Sequence, residues 1–283
     1  MISQAQEEYL LRQAYVPEHV PNLMVGVSKG EPYLIGDYVI FAKDDWLIFV
    51  GYPLNRDCRP EIFATALKET IKKFNPTYTW FVAPEIPNSI LQSARQREGD
   101  EYYKLEMRNH EVEKGLMRIV KKASEALTIE KSRQFSEEHV TLTRDFLERE
   151  SPPLRVKELF SQMPGYVSYS KTSFVLNARD KQKKLSAYYV IELGAEEFAT
   201  YVVGCFSREN YVAHASDLLF YEMTNLAKEY YKAYIHLGLG VNAGIRRFKE
   251  KWGGFPFLKY ESGEWVSETQ GPLSWMKALG ARL

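Results

Sequence analysis

The glycines of the segment HLGLGVNAGIRRFKEKWGG, residues 236–254, form the most suggestive chemical pattern in the chain. Gly238, Gly240 and Gly244 follow a strand-like run and precede a helix-like run, where a glycine loop can cradle the phosphates of a dinucleotide. That fingerprint has the spacing G-x-G-x-x-G, whereas here the third glycine comes one residue later. The chain also ends too soon after Gly244 to build a mononucleotide-binding half. An NAD(P)-dependent enzyme is therefore only a third alternative.

A second motif, Gly26-Val27-Ser28-Lys29-Gly30, matches the G-x-S-x-G of hydrolase nucleophile elbows. The elbow requires a strand that turns sharply into a helix, so that the serine stands exposed. In this chain Glu31-Pro32 and another strand-like run follow the motif. The pattern predicts a turn between two extended segments and no serine nucleophile.

Histidine and cysteine give little support for a metal site. No two of the five histidines have the i,i+4 spacing of a helical zinc site, and the chain has no C-x-x-C pair, so we expect no metal. Cys58 and Cys205 are too few and too isolated for a disulfide framework, which indicates free thiols. His236 lies in a strand-like run and is expected in the core, whereas His214 precedes a helix and is freer to react.

The composition shows no strong preference for charged partners. Of the 283 residues 45% are hydrophobic, and 37 Lys and Arg balance 37 Asp and Glu. A net charge of zero gives no overall attraction to nucleic acid or anionic lipid, although a local basic patch can still bind phosphate. The N-terminal residues lack the pattern of a signal peptide, and no apolar run has the ~18 residues of a membrane-spanning helix. We expect a cytoplasmic location and no membrane span.

The first half of the chain alternates strands with helices, the pattern of an α/β fold. Strands are predicted at 33–42, 46–54, 77–83 and 101–107, and helices at 59–74, 88–98 and 110–130. The charged face of the last helix is typical of a solvated surface. The order of strands and helices in this half indicates that it is a degenerate repeat of the second half.

The second half has a more specific order: two helices, three strands, then helix, strand, helix and strand. The helices are predicted at 136–150, 156–163, 216–231 and 242–252, and the strands at 172–180, 185–193, 198–206, 233–239 and 257–261. The change of pattern predicts an N-terminal domain of residues 1–135 and a C-terminal domain of residues 136–283, the second being better formed.

With that order, the second half resembles the GNAT superfamily of acyl-CoA N-acyltransferases, and more closely its Fem-type and BioF2-like branch. The resemblance depends on SDLLFYEMTNLAKEYYKAYIHLGLG, residues 216–240, and on GIRRFKEKWGG, residues 244–254. The second segment matches the ending R-F-K-x-x-[WF]-G-G of that branch at Phe248, Lys249, Trp252, Gly253 and Gly254. The resemblance implies a mixed α/β fold with two GNAT-like domains in tandem.

The resemblance also implies that two neighbouring parallel strands separate and that the acyl-donor arm lies between them. In this chain they are 199–206, which includes Val203 and Gly204, and 233–239. Donor phosphates would meet the next helix at Ser216, because free N–H groups and the helix dipole favour anions there. The other expected donor-binding residues are Arg208, Asn242, Arg246 and Lys249.

The donor is either acyl-CoA or an aminoacyl-tRNA. Members that use acetyl-CoA carry a Q/R-x-x-G-x-G/A loop before that helix, whereas RENYVAHAS, residues 208–216, has no glycine. Asp217 also places a negative charge in the first turn, where it would compete with a pyrophosphate. The Fem-type branch lacks the loop as well, and its members take the aminoacyl group from a charged tRNA.

The basic residues of the last helix could meet tRNA phosphate. The alternative for this helix is simple amphipathicity, with Ile245, Phe248 and Trp252 facing the core and the basic residues facing water.

Acyl transfer itself requires few groups. An amine must lose a proton and attack a carbonyl, and the oxyanion that develops must be stabilised, usually by backbone N–H groups. A thiol or a tRNA hydroxyl then leaves, helped by an acid that is often tyrosine. The candidates for acid and base are Glu192 at a strand end, Tyr211 and His214 in the loop, and Tyr221 in the helix.

The sequence therefore predicts an acyl- or aminoacyl-transferase whose acceptor is an amine on a small molecule or a peptide. The alternative is a protein of the same fold that has lost catalysis and binds a ligand or a partner, because no glycine precedes Ser216. The acyl group, the acceptor and the oligomeric state stay open.

Overall fold

The structure is a computed structural model that describes residues 1–92 and 94–267. Residues 268–283 of the predicted C-terminal domain lie outside the described part. The chain divides into two units: unit 1 contains Met1–Tyr102, Leu239–Val241 and the described residues from Pro256 on, and unit 2 contains Tyr103–Gly238 and Asn242–Phe255. The predicted boundary between residues 135 and 136 stays a prediction.

Helices and strands alternate in blocks, which confirms the predicted α/β class. The helices are α1 (Gln4–Gln13), α2 (Pro21–Ser28), α3 (Pro60–Phe74), α4 (Asn88–Leu91), α5 (Lys114–Ser124), α6 (Glu137–Glu150), α7 (Leu154–Tyr169), α8 (Ala215–Glu229) and α9 (Ala243–Lys251). The strands are β1 (Glu31–Ile35), β2 (Tyr38–Lys43), β3 (Trp46–Val50), β4 (Tyr78–Ala83), β5 (Arg95–Glu106), β6 (Thr128–Ser132), β7 (Ser173–Arg179), β8 (Leu185–Glu192), β9 (Phe198–Phe206), β10 (Tyr234–Leu239) and β11 (Phe255–Val266).

Unit 1 has the order α1-α2-β1-β2-β3-α3-β4. Strands β1, β2 and β3 are antiparallel neighbours, β3 runs parallel to β4, and β11 pairs antiparallel with β4. Helix α3 packs Phe63 and Leu67 on one face of this sheet. Alternate strand residues point to the opposite face, where Val39 and Val50 pack in a second core with Leu10 of α1. Both faces of the sheet are therefore buried.

Unit 2 repeats that order as α6-α7-β7-β8-β9-α8-β10. Its strands lie in the order β10-β9-β8-β7-β6, all antiparallel except the β9–β10 pair. Helices α5 and α8 pack with Trp252 on one face in a single apolar core. The repeat that the sequence indicated is thus present, and it includes α1 and α2, which the sequence pattern did not predict.

Several predicted elements have different limits in the structure. The run 33–42 is two strands, because Gly36 turns the chain with a φ of 56°. The predicted helix 88–98 ends at Leu91 and is followed by β5, and the predicted helix 110–130 is α5 followed by β6. Pairing of β6 with β7 decides the conformation of residues 128–132, since tertiary context overrides the weak helix preference of a charged segment.

The Gly26–Gly30 motif is also placed differently. Gly26 and Ser28 belong to α2, and Lys29 ends that helix in the left-handed conformation with a φ of 60°. The motif is therefore a helix-to-strand turn and not a turn between extended segments. It still lacks the strand-to-helix geometry that a nucleophile elbow requires.

The Gly253-Gly254 pair ends α9, as predicted. Gly253 has a φ of 86°, which side chains rarely adopt. A β-carbon on Gly254 would lie 2.7 Å from Leu237 Cδ1 and 2.9 Å from the Lys249 carbonyl oxygen. The second glycine is therefore required by close packing of the helix end on β10.

We expect Gly254→Ala to lower the free energy of unfolding by about 1–3 kcal/mol, because the added methyl overpacks a buried contact. Gly115→Ala in α5 is the control, since nothing lies within 4 Å of a β-carbon there. It should be neutral or stabilising by up to ~1 kcal/mol. Urea denaturation followed by circular dichroism measures both, and equal stability of the Gly254 variant and the wild type would contradict the packing.

Candidate functional site

The parallel strands β9 and β10 separate after a short ladder. Their pairing joins three residue pairs, from Tyr234–Phe198 to His236–Thr200, whereas β9 continues to Phe206. In unit 1 the corresponding strands β3 and β4 are paired over the whole of β3. We call the space between Tyr201–Phe206 of β9 and Leu237–Gly238 of β10 the strand gap. It distinguishes the β9–β10 pair of unit 2 from the β3–β4 pair of unit 1.

A β-bulge in β9 lies directly after that ladder. Ile191 of β8 pairs with Tyr201 and Val190 pairs with Val203, so Val202 is the extra residue. A bulge bends its strand, increases the twist and leaves the extra residue outside the ladder. The backbone at Val202 therefore borders the strand gap, and the neighbouring Val203 is buried.

Two tyrosines fill the space beside Gly204. A β-carbon on Gly204 would lie 2.5 Å from the Tyr201 hydroxyl and 2.6 Å from Tyr189 Cδ1. The two rings meet edge to face with centroids 4.9 Å apart, and the Tyr189 hydroxyl donates to the Ser216 carbonyl at 3.1 Å. Gly204 and Ser216, both expected at the donor site, are thus brought together by two tyrosines that were not among the predicted site residues.

Asp217 links the start of α8 to the end of α9. Its carboxylate is buried and accepts hydrogen bonds from the Lys251 ammonium and, at 3.1 Å, from the Trp252 indole N–H. His214 Nδ1 lies 3.3 Å from the other oxygen. The negative charge that was expected to oppose a pyrophosphate is therefore paired with a cation and directed toward α9.

His214 begins α8 in an unusual conformation. It is the N-cap residue with a φ of 66°, in the left-handed region, and no side chain caps the first turn. Its side chain is 39% exposed while Asp217 beside it is buried. A half-exposed imidazole fixed by a buried carboxylate has the arrangement of an oriented general base.

In helix α9 the division of side chains between the core and solvent differs from the expected pattern. Lys249 is only 6% exposed, and its ammonium lies 5.4 Å from the centroid of the Tyr103 ring. Ile245 is 38% exposed, so it is this residue and not Lys249 that faces solvent. Arg246 is exposed, and the Asn242 side chain caps the helix by accepting from the Ile245 N–H at 2.9 Å.

Glu192 lies in a buried network on another face of the sheet. Its carboxylate accepts hydrogen bonds from the Tyr166 hydroxyl, from Ser170 Oγ at 3.2 Å and from the Gly194 N–H at 2.6 Å. Burial and then the Glu192 charge raise the pKa of Tyr166 well above its usual range, so that hydroxyl keeps its proton. With 1% exposure, Glu192 is placed to hold α7 against β8.

The remaining predicted residues lie along the segment from β9 to α8. Arg208 and Tyr211 are exposed, and Tyr221 is half-buried against the core of unit 2. The structure therefore gathers Val203, Gly204 and Ser216 around the strand gap, with His214 at the same helix start. No signal in the sequence distinguished Tyr189 and Tyr201 from the other tyrosines, because their value depends on a contact across strands.

Within residues 1–92 and 94–267, no group of three or more His, Cys, Asp and Glu side chains could hold a metal ion. The same residues include no helix long and apolar enough to cross a membrane.

Solved structures similar to this chain share its fold. The C-terminal DUF2156 domain of a protein described as a lysylphosphatidylglycerol synthetase from Agrobacterium fabrum has a TM-score of 0.60 at 14% identity, covering 97% of this chain and 95% of that one. FemX has a TM-score of 0.59 at 10% identity, covering 98% of both chains. A tandem GNAT protein from the clavulanic acid biosynthesis pathway has a TM-score of 0.51 at 11% identity, covering 87% of both.

No family model matches the sequence, and no curated protein matches it. At these identities the structural likeness shows the fold alone. The chain has a GNAT-type mixed α/β fold with two such units in tandem, as the resemblance implied.

We expect Asp217→Asn to lower the free energy of unfolding by about 1–2 kcal/mol, because the amide keeps a partner for Trp252 but loses the charge-assisted bond to Lys251. Asp145→Asn, at an exposed position on α6, is the matched control and should change stability by less than ~0.5 kcal/mol. Urea denaturation measures both, and similar values for the two variants would show that the Asp217 contacts add little.

The buried histidines make stability depend on pH. Burial, together with the charge of Lys249, lowers the pKa of His236 to about 3 from its usual 6.5. Below about pH 6.5 the imidazole is therefore protonated in the unfolded state but stays neutral in the folded state. The free energy of unfolding falls as the pH drops, by about 1.4 kcal/mol per pH unit for one such histidine.

His236→Gln should remove about that much of the slope between pH 6.5 and 5. His19, whose pKa burial lowers to about 4, provides an independent comparison in unit 1 through His19→Gln. Urea denaturation at pH 7, 6 and 5 gives the slopes, and a His236 variant with the wild-type slope would contradict the burial of a neutral imidazole.

Proposed function

We propose that this chain transfers an acyl or aminoacyl group to an amine, with the donor held in the strand gap. One observation supports this most directly: the β9–β10 ladder stops after three pairs and is followed at once by a bulge. The freed strand edge offers backbone groups to the amides of an acyl-donor arm. Unit 1, in which the corresponding strands stay paired, offers no such edge.

The bulge supplies what the reacting carbonyl requires. When the amine nitrogen attacks, the C–N bond forms, the carbonyl oxygen becomes an oxyanion, and the bond to the leaving sulfur or oxygen then breaks. The backbone N–H of Val202 lies outside the ladder with β8 and would stabilise that oxyanion.

His214 is the base that the geometry supports best. The attacking ammonium must first lose a proton, and Nε2 of this half-exposed ring would accept it while the Asp217 carboxylate holds Nδ1. Glu192 was an equal candidate in the sequence, but three hydrogen bonds and burial engage its carboxylate elsewhere.

Tyr201 is our proposed acid for the leaving thiol or hydroxyl. It lies at the bulge beside Gly204, and burial raises the pKa of its hydroxyl well above the usual range, so the hydroxyl is protonated at neutral pH. Tyr211 and Tyr221 remain as alternatives on the segment that leads into α8.

The donor's phosphate groups would lie at the start of α8 near Ser216, with Arg208 and the exposed Arg246 as cations. Asp217 does not oppose this, because Lys251 neutralises it.

Acyl-CoA and aminoacyl-tRNA are both donors of this kind. The name of the synthetase neighbour points to the second, since a lysylphosphatidylglycerol synthetase joins an aminoacyl group to its acceptor. The Fem-type branch that the sequence resembles also implies this donor. The same proposal places the reaction in the cytoplasm, where the exposed Cys58 thiol stays reduced.

A binding protein of the same fold that has lost catalysis is the second candidate. The segment RENYVAHAS supports it, because it enters α8 without glycine and its last turn holds His214 in a left-handed conformation. Such a protein would retain the strand gap and bind a ligand there without turnover.

Thermal unfolding with CoA, acetyl-CoA, longer acyl-CoAs and aminoacyl-tRNA tests the donor. Binding at a concentration 100 times the Kd stabilises the folded state by about 2.7 kcal/mol, which raises Tm by several degrees. The double variant Arg208→Gln/Arg246→Gln should reduce the shift, whereas Lys157→Gln, an exposed lysine on α7, should leave it unchanged. No shift with any donor would reject the transferase proposal, and a shift with NAD(H) or NADP(H) alone would favour the dinucleotide alternative.

Turnover separates the enzyme from the binding protein. With the donor that binds, His214→Gln should lower kcat by about 10²–10⁴-fold with little change in donor Kd, the range typical of a general base. His110→Gln is the matched control, because His110 lies outside the segment between β9 and α8. Donor binding without amine acylation by the wild type would support the second candidate.

A further inference from the structure

An unassigned groove lies along α8 at the β6 side of unit 2. It has a volume of about 340 Å³, within the range of small-ligand pockets. Its floor is aliphatic and its rim is polar. The floor consists of Leu127, Ile129, Leu176, Leu218 and Leu226, and the rim consists of Ser124, Lys131, Glu222, Asn225 and Glu229.

The groove is separate from the strand gap. Its floor reaches β7 through Leu176, and β8 and β9 lie between β7 and the gap in the order of the sheet. No residue that we assign to the donor or to proton transfer lines it. What it binds is therefore independent of the proposed function.

Among the described residues, no cation pairs with one carboxylate of the rim, that of Glu222. Lys131 already pairs with Glu229, their charged atoms being 2.7 Å apart. In the described part of the chain, the Glu222 carboxylate accepts one hydrogen bond, a long one of 3.4 Å from the Asn225 amide on its own helix. Lys131, Glu222 and Glu229 together leave the rim with one negative charge beside an apolar floor.

We propose that this groove binds a small aliphatic ammonium ligand. The alkyl chain would lie on the five aliphatic side chains, and the ammonium would donate to Glu222, which has acceptor capacity to spare. The chemistry excludes anions, because the carboxylate would repel them, and it disfavours neutral alcohols, because they lack the charge. A ligand here would contact both the first and the last turns of α8, through Leu218 and Glu229.

Hexylammonium is the probe that tests this site. Two-dimensional methyl NMR of the full chain at pH 7.5 would follow its binding through Ile129 and Leu176, with 1-hexanol and hexanoate as matched ligands of the same chain length. We expect hexylammonium to shift these methyl signals, 1-hexanol to bind about tenfold more weakly, and hexanoate not to bind, because a charge-assisted hydrogen bond is worth about a factor of ten or more.

Glu222→Gln keeps the size of the side chain and removes the charge. It should weaken hexylammonium about tenfold and leave 1-hexanol unchanged. Glu148→Gln, an exposed position on α6, should leave both affinities unchanged. Circular dichroism would verify that each variant is folded.

Three results would overturn the proposal. These are the absence of hexylammonium binding, equal affinity for the amine, the alcohol and the acid, and wild-type affinity in the Glu222 variant. None of them depends on an acyl donor, so the outcome is separate from that of the transferase proposal.

Discussion

The buried carboxylate of Asp217 is the interaction on which the geometry of unit 2 depends. Helix α8 follows β9 and α9 follows β10, so a bond between the two helices fixes the positions of the chain segments that leave the two parted strands. Asp217 makes that bond twice, to the Lys251 ammonium and to the Trp252 indole. An open pair of strands exposes backbone groups and loses ladder hydrogen bonds, so it needs this kind of support from outside the sheet.

The two units have the same order of elements, but the parallel strands separate in unit 2 and stay paired in unit 1. In unit 1 the ladder of β3 and β4 is continued by a hydrogen bond of 2.6 Å from the Gly51 N–H to the Val82 carbonyl. The Phe63 ring of α3 lies so close that a β-carbon on Gly51 would be 2.4 Å from it. The aromatic ring and the extra hydrogen bond close the space that stays open in unit 2. The bulge at Val202 has no counterpart in the pairing of β2 with β3, which is regular throughout.

Much of this architecture could be predicted from the sequence, because long periodic segments such as α8 and β7 to β9 carry strong and unambiguous patterns. The errors occur where tertiary contacts decide. Residues 128–132 have the sequence TIEKS, with a single apolar side chain, and become a strand only because β7 offers a partner. Lys249 was expected at the donor or, in the alternative, in water. The aromatic rings of Tyr103, Phe220 and Trp252 set how α9 lies, and Lys249 is buried with them. The role we propose for Tyr201 depends on its contact with Tyr189 of β8, and that of Glu192 depends on its contact with Tyr166 of α7. No spacing along the chain reveals either contact.

The antiparallel pairing of β4 with β11 has a consequence for how the protein is made. Six residue pairs join them, from Glu261–Ala83 to Val266–Tyr78, although nearly the whole of unit 2 separates the two strands in the chain. During synthesis the first unit is exposed for as long as it takes to translate the second, and the edge of β4 opposite β3 has no partner until β11 leaves the ribosome. Closing so long a loop makes the pairing late and slow, since loop-closure entropy must be overcome before the contact forms. Among the described elements, the sheet of unit 1 is therefore completed after unit 2 has been synthesised. Before β11 pairs with β4, the unpaired edge of β4 most needs protection by a chaperone.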